Sequence, residues 1–158
     1  MSKSNVKIDK KQLRSAARFF ATQALFQMEA SDSDLDEIRE EFETHRLGAE
    51  IDGDTYSEAN IDLFRSLLTE AVNMQAKIDK LTDTALVAKW PIARIDPTLR
   101  ALFRAAGAEL LTQNTPPKVA ITEFVDVAKA FFPDGKEPKF VNAVLDHMAR
   151  EVKPDAFR

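Results

Sequence analysis

The chain has 158 residues, of which 44% are hydrophobic and 30% charged, with no cysteine and a formal net charge of −4. That length supports one domain with a sizeable core, since such a chain buries roughly 70% of its unfolded surface. The balance excludes a nucleic-acid coat held by bulk charge, a disulfide framework or thiolate metal site, and a bilayer span, which needs about 20 consecutive apolar residues.

A first helix is predicted from Asp9, a fair N-cap, to about Ala30. At about 100° per residue, Leu13, Ala16, Ala17, Phe20, Ala24 and Met28 gather into one apolar stripe. Lys11, Arg14 and Arg18 share another face, and Phe19 and Phe26 form a third cluster. The lysines before this helix (Lys3, Lys7, Lys10 and Lys11) are followed by no long apolar run, so no signal peptide is expected and the cytoplasm is the compartment inferred. Ser31-Asp32-Ser33-Asp34 is a second capping cluster, ahead of Leu35, Ile38 and Phe42 at helical spacing to about Arg46. Leu47 to Tyr56, with Gly48 and Gly53, is predicted as loop.

A long helical pattern then carries Ile61, Phe64, Leu67, Leu68, Ala71, Met74 and Ile78 on one side. It is expected to bend before Asp83 and to run to about Lys89, where Trp90-Pro91 breaks it. Asp96-Pro97 restarts a helix, as an N-cap acid with proline at the first helical position; Leu99, Leu102, Phe103, Ala106 and Leu110 form its stripe. Asn114-Thr115-Pro116-Pro117 is a boundary. The next helix turns Ile121, Phe124, Val125, Ala128 and Phe132 inward, and Pro133-Asp134-Gly135 ends it. Pro138 opens a last helix with Phe140, Val141, Val144, Leu145, Met148 and Val152. The fold class is all-α, about seven helices in one domain over 1–158, with 1–8 and 154–158 as flexible tails.

Charge is unevenly spread. Residues 1–30 hold six Lys/Arg against two acids, whereas 31–62 hold twelve acids against Arg39 and Arg46. This fits one face for a polyanion and another for a basic partner; a merely solvated charge pattern fits it as well. Cations beside spare aromatics suit RNA, since phosphates take the charge and unpaired bases stack on rings. The alternative makes Lys11, Arg14 and Arg18 plain surface cations, and Phe19, Phe26 and Phe140 a second core layer. The helix dipole disfavours cations at an N-terminus, so their presence there asks for a reason.

Chemistry of other kinds has no support in the residues. Gly48, Gly53, Gly107 and Gly135 stand alone and build no nucleotide loop. His45 and His147 have no ligand-spaced partner, and the acids of 32–54 lack the calcium-hand pattern. Ser15, Ser66 and the threonines have no base placed by a readable motif. Binding without catalysis, metal or cofactor is the expectation.

Several blocks resemble the NusB transcription antitermination family. Arg14-Ser15-Ala16-Ala17-Arg18 through Gln23-Ala24-Leu25-Phe26 is similar to its Arg-rich first helix. Asp96-Pro97, Leu102-Phe103-Arg104 and Glu109-Leu110-Leu111 resemble its central helix. Pro117-Lys118-Val119-Ala120-Ile121-Thr122-Glu123, with Val127-Ala128-Lys129 after it, resembles "PYKVAINE…LAK". Lys139-Phe140-Val141-Asn142-Ala143-Val144-Leu145-Asp146 matches "KFVNGVLD" in all but one position. The blocks keep family order and spacing over residues 10–150.

The resemblance implies a seven-helix bundle and a bacterial, non-enzymatic factor. Such a factor pairs with NusE, a ribosomal small-subunit protein, and binds single-stranded boxA RNA. It thereby helps the RNA polymerase antitermination complex read through terminators, notably in ribosomal RNA operons. The implied RNA face comprises Arg14, Ser15 and Arg18 with Phe26 beside them, and Lys139, Phe140 and Asn142 from the last helix; Lys7, Lys10 and Lys11 would compensate for a thinned arginine run. The NusE face is expected around the Asp96–Leu111 helix, at Leu99, Arg100 and Phe103. Three positions depart from the family: Ser15-Ala16 where many members carry arginines, Leu99 where they often carry glutamate, and Ala143 in place of glycine. A rival reading is the substrate-binding module of an RNA cytosine methyltransferase, though the chain shows no cofactor-binding domain and no cysteine. Another is a helical interaction protein that binds no RNA. A homodimer stays open.

Overall fold

The computed structural model describes residues 10–47, 50–51, 54–55, 59–86 and 94–158. Lys3, Lys7, the expected 1–8 tail and the Trp90-Pro91 break lie outside the described residues. Seven α-helices are found among them: α1 Lys10–Ser31, α2 Leu35–His45, α3 Ile61–Asn73, α4 Gln75–Ala85, α5 Pro97–Thr112, α6 Pro117–Phe131 and α7 Glu137–Val152. The all-α expectation holds. Within the expected loop, β1 (Glu50–Ile51) and β2 (Asp54–Thr55) form a minimal antiparallel ladder, Glu50 opposite Thr55 and Ile51 opposite Asp54.

Local chemistry explains the helix starts. Asp34 accepts from the Glu37 amide at 2.9 Å while the Glu37 side chain accepts from the Asp34 amide at 3.1 Å, a reciprocal cap on α2. The chain reverses before it through Asp32, whose φ of 56° an acid tolerates better than most residues. Asn60 caps α3 through the Leu63 amide at 2.8 Å, and its own amide donates to the Leu13 carbonyl of α1 at 2.9 Å. Asp96 caps α5 through the Thr98 amide at 2.7 Å, with Pro97 in the first turn.

α5 is the axis of the fold. It packs against α1, α3, α4, α6 and α7, and ten of its residues, from Leu99 to Leu110, are buried. A helix apolar on nearly all sides belongs inside a bundle, and Ala101, Ala105, Ala106, Gly107 and Ala108 let its neighbours come close. On one flank a chain of rings joins three helices: Phe20 meets Phe42 edge-on at 6.4 Å, and Phe42 stacks on Phe64 at 5.9 Å.

Two expectations are corrected here. The long helix breaks at Met74, not before Asp83, which sits inside α4. Neither proline nor glycine marks the break. α3 buries its apolar face against α1 and α5, whereas α4 buries Ile78 and Thr82 against α5 and α7; one straight rod cannot serve both. The 154–158 tail is not loose either. Pro154–Phe157 forms a 3-10 turn folded back on α7, with the Arg150 guanidinium 4.5 Å from the centre of the Phe157 ring.

Candidate nucleic-acid interface

The first turns of α1 contain no acid. They lie against the end of α5 because α1 and α5 run antiparallel, Arg18 opposite Glu109 and Glu29 opposite Arg100. There the 113–116 connection into α6 borders an open groove of about 710 Å³. Lys11 and Arg14 form one wall, and Gln113, Asn114, Thr115, Pro116 and the 46%-exposed Val119 the other. Lys10 is exposed in the turn before. Lys153 donates to the Gln113 carbonyl at 2.9 Å, so a further cation sits at the C-terminal end of α5, where the helix dipole favours it.

Beneath this rim lies a buried ionic cluster. Arg18 Nε donates to Glu109 Oε1 and Nη2 to Glu109 Oε2, both at 2.8 Å, and Nη1 lies 3.3 Å from Glu123 Oε1. The Arg18 and Glu109 side chains are 3% and 0% exposed. Ser15 Oγ donates to Glu123 Oε1 at 2.5 Å. Thr115 Oγ1 donates to Glu109 Oε2 at 2.6 Å, and Arg14 Nη2 approaches Thr115 Oγ1 at 3.5 Å. Burial pushes the Glu109 carboxyl up; the hydrogen bonds and charge of Arg18, the Thr115 hydroxyl and the Arg14 charge outweigh it and hold it below its ordinary value. One interior guanidinium thus faces two carboxylates, and Arg14 at the rim adds a smaller attraction to Glu109.

The expected RNA residues therefore separate. Lys11 and Arg14 line the rim, and Lys10 is exposed next to them in the chain. Arg18 is corrected to an interior ion-pair residue: a helical wheel shows which residues share a face, but not that this face meets a buried acid. Ser15, half-buried, spends its proton on Glu123. Phe26, 39% exposed, stands twelve residues and about 18 Å along the axis from Arg14, in a separate recess with Gln23, Gln27, Arg46, Thr98 and Phe131. Phe19 joins the packing, stacked on Phe131 at 5.0 Å.

Lys139 and Asn142 are exposed on α7, and Phe140 meets Phe103 edge-on at 6.1 Å. α1 and α7 are not a packed pair; α5 and α6 each lie against both. The juxtaposition of first and last helices expected from the sequence is thereby corrected. The proposed NusE contacts change too. Leu99 (6% exposed) and Phe103 (0%) are core residues, since α5 is enclosed. Arg100 binds Glu29 through two nitrogens, Nε at 2.8 Å. Arg104 joins that pair to Asp79 of α4, with Nε at 3.0 Å and Nη2 at 2.8 Å.

Thr115, Glu109 and Glu123 were not singled out as functional by the sequence reading. Glu109 carried a signal: an acid inside Ala105-Ala106-Gly107-Ala108-Glu109-Leu110-Leu111 must find a partner, because a buried unpaired carboxylate is prohibitively costly.

The fold is that of a small all-α module, built around an enclosed central helix and offering a cation-rimmed groove. The sequence pattern of the NusB family matches residues 15–150, and the chain belongs to that family. The Transcription antitermination protein NusB of Agrobacterium fabrum is 47% identical over 146 residues, 92% of this chain and 88% of the relative. A solved structure of T. maritima NusB has a TM-score of 0.72 at 30% identity, covering 96% of this chain and 99% of that one. A crystal structure of the antitermination factors NusB and NusE in complex with dsRNA has a TM-score of 0.69 at 24% identity, covering 87% and 96%; at that identity the likeness is one of fold.

Proposed function

We propose that the chain is a transcription antitermination factor that binds single-stranded boxA RNA together with NusE, without catalysis, and so promotes read-through by RNA polymerase, notably in ribosomal RNA operons. The observation carrying this reading is the pair Lys11 and Arg14 lining the groove bordered by residues 113–116, with exposed Lys10 beside them in the chain. Membership of the NusB family supports it, and the fold is shared with a NusB solved together with NusE and an RNA, there double-stranded. Phosphates would lie along the cations while Asn114 and Gln113 offer amides to base edges. In an acidic protein so few cations bind weakly alone, so a basic partner strengthens the complex through coupled assembly.

Fluorescence anisotropy with a boxA oligomer, alone and with NusE, tests the proposal. With about three phosphates neutralised, log K falls against log salt with a slope of about −2. Arg14→Ala removes about 0.7 from that slope, and NusE tightens binding. Equal affinity with and without NusE would defeat the cooperative part; a preference for the duplex form of the same sequence would defeat the single-stranded part.

A further inference from the structure

Thr115 occupies an unusual place: it touches both the buried cluster and the rim of the groove. Its hydroxyl carries a single proton, and the geometry fixes where that proton goes. Glu109 is ionised and therefore accepts only, and it lies 2.6 Å from Thr115 Oγ1. The lone pairs of Thr115 are then free to face Arg14 Nη2, 3.5 Å away. Glu109 itself cannot swing, because Arg18 grips both its oxygens at 2.8 Å and Arg18 is held in turn by Glu123. Order passes outward from a locked interior pair, through one hydroxyl, to one rim cation. An arginine free in solvent samples many rotamers and gives up that freedom on binding.

We infer that Thr115 is a positioning residue, which hangs on Glu109 and holds the Arg14 guanidinium toward the groove for a phosphate of the bound RNA strand. This rests on the RNA-binding reading above and adds to it a residue outside the first helix. Thr115→Val keeps the volume and removes both the donor and the acceptor; Thr115→Ser keeps both. Because residue 115 lies in a half-buried connection, neither change threatens the fold as Glu109 or Arg18 substitutions would.

Affinity for the boxA oligomer is measured for the intact chain, Thr115→Val, Thr115→Ser, Arg14→Ala and the Arg14→Ala/Thr115→Val double variant. Thr115→Val is expected to weaken binding roughly two- to tenfold, Thr115→Ser to restore it, and Thr115→Val to cost nothing further once Arg14 is alanine. Full affinity in Thr115→Val, or the same loss with and without Arg14, overturns the positioning role while leaving RNA binding intact. Failure of the unaltered chain to bind the oligomer overturns the RNA reading itself, and the positioning role with it.

Discussion

Arg18 of α1 and Glu109 of α5 form a two-pronged ion pair, both contacts 2.8 Å, beneath the groove and almost wholly out of water. A planar guanidinium matches a carboxylate in this way and no lysine does. With Glu123 on α6 as a third member, the pair ties together three helices that border the groove. A cation that reads as surface charge in the sequence is thus an interior fastening.

The two arginines of the first helix should behave oppositely when removed. Arg18→Ala strands Glu109 in the interior and is expected to cost about 3–5 kcal/mol of stability, read as a lower urea midpoint. Arg14→Ala touches only the rim, so its midpoint should move by less than about 1 kcal/mol while RNA affinity falls. Similar midpoints for the two variants would contradict the assignment of Arg18 to the interior.

Acid should loosen the same fastening. Glu109 is held below its ordinary value of 4.5 in the folded chain, so the unfolded state takes up its proton first as pH falls. The stability this carboxylate contributes is complete above about 4.5 and is lost as pH drops through the lower, folded value. Glu29, drawn down by hydrogen bonds from Arg100, and Glu43, drawn down by hydrogen bonds from Arg65, act in the same direction, more weakly because solvent screens them. Urea midpoints measured from neutral to acid pH should fall steeply below about 4.5. Glu109→Gln should start lower and fall less; parallel curves would show that Glu109 is not the group responsible.

Gly107 is where α4 approaches the central helix. A methyl added there would lie 2.5 Å from Ile78 Cγ2 and 3.2 Å from Cγ1. Ile78 is fully buried and branched at Cβ, so it cannot turn aside cheaply. Overpacking costs about 1–3 kcal/mol, against about 1 kcal/mol that alanine gains over glycine in a helix, and crowding by a stiff, enclosed isoleucine puts the cost at the upper end. Gly107→Ala should therefore lower the urea midpoint. The loss should shrink in an Ile78→Ala background; an unchanged loss would mean that the clash lies elsewhere.

Several helix starts were legible because they are written in local chemistry: the capping cluster ending at Asp34, Asp96 with Pro97, and Pro116-Pro117 each act within a few residues of themselves. The break at Met74 was not, because it answers to two different packing surfaces and not to a proline or glycine. At the candidate site, Lys11 and Arg14 were found from their shared helical face. Arg18 lies on that face too, yet one turn further along it meets α5 and α6 instead of water.

Sequence alone determined the all-α class, most helix starts, the family, and the concentration of cations in the first turns, since all of these depend on short-range spacing and composition. Tertiary structure decided which cations line the groove, that the loop at 113–116 and not the Lys139 end of the last helix borders it with them, and that Leu99 and Phe103 are core. The physical reason is that a side chain's exposure is set by what packs against it from ninety or a hundred residues away, and periodicity within one helix carries no record of that neighbour.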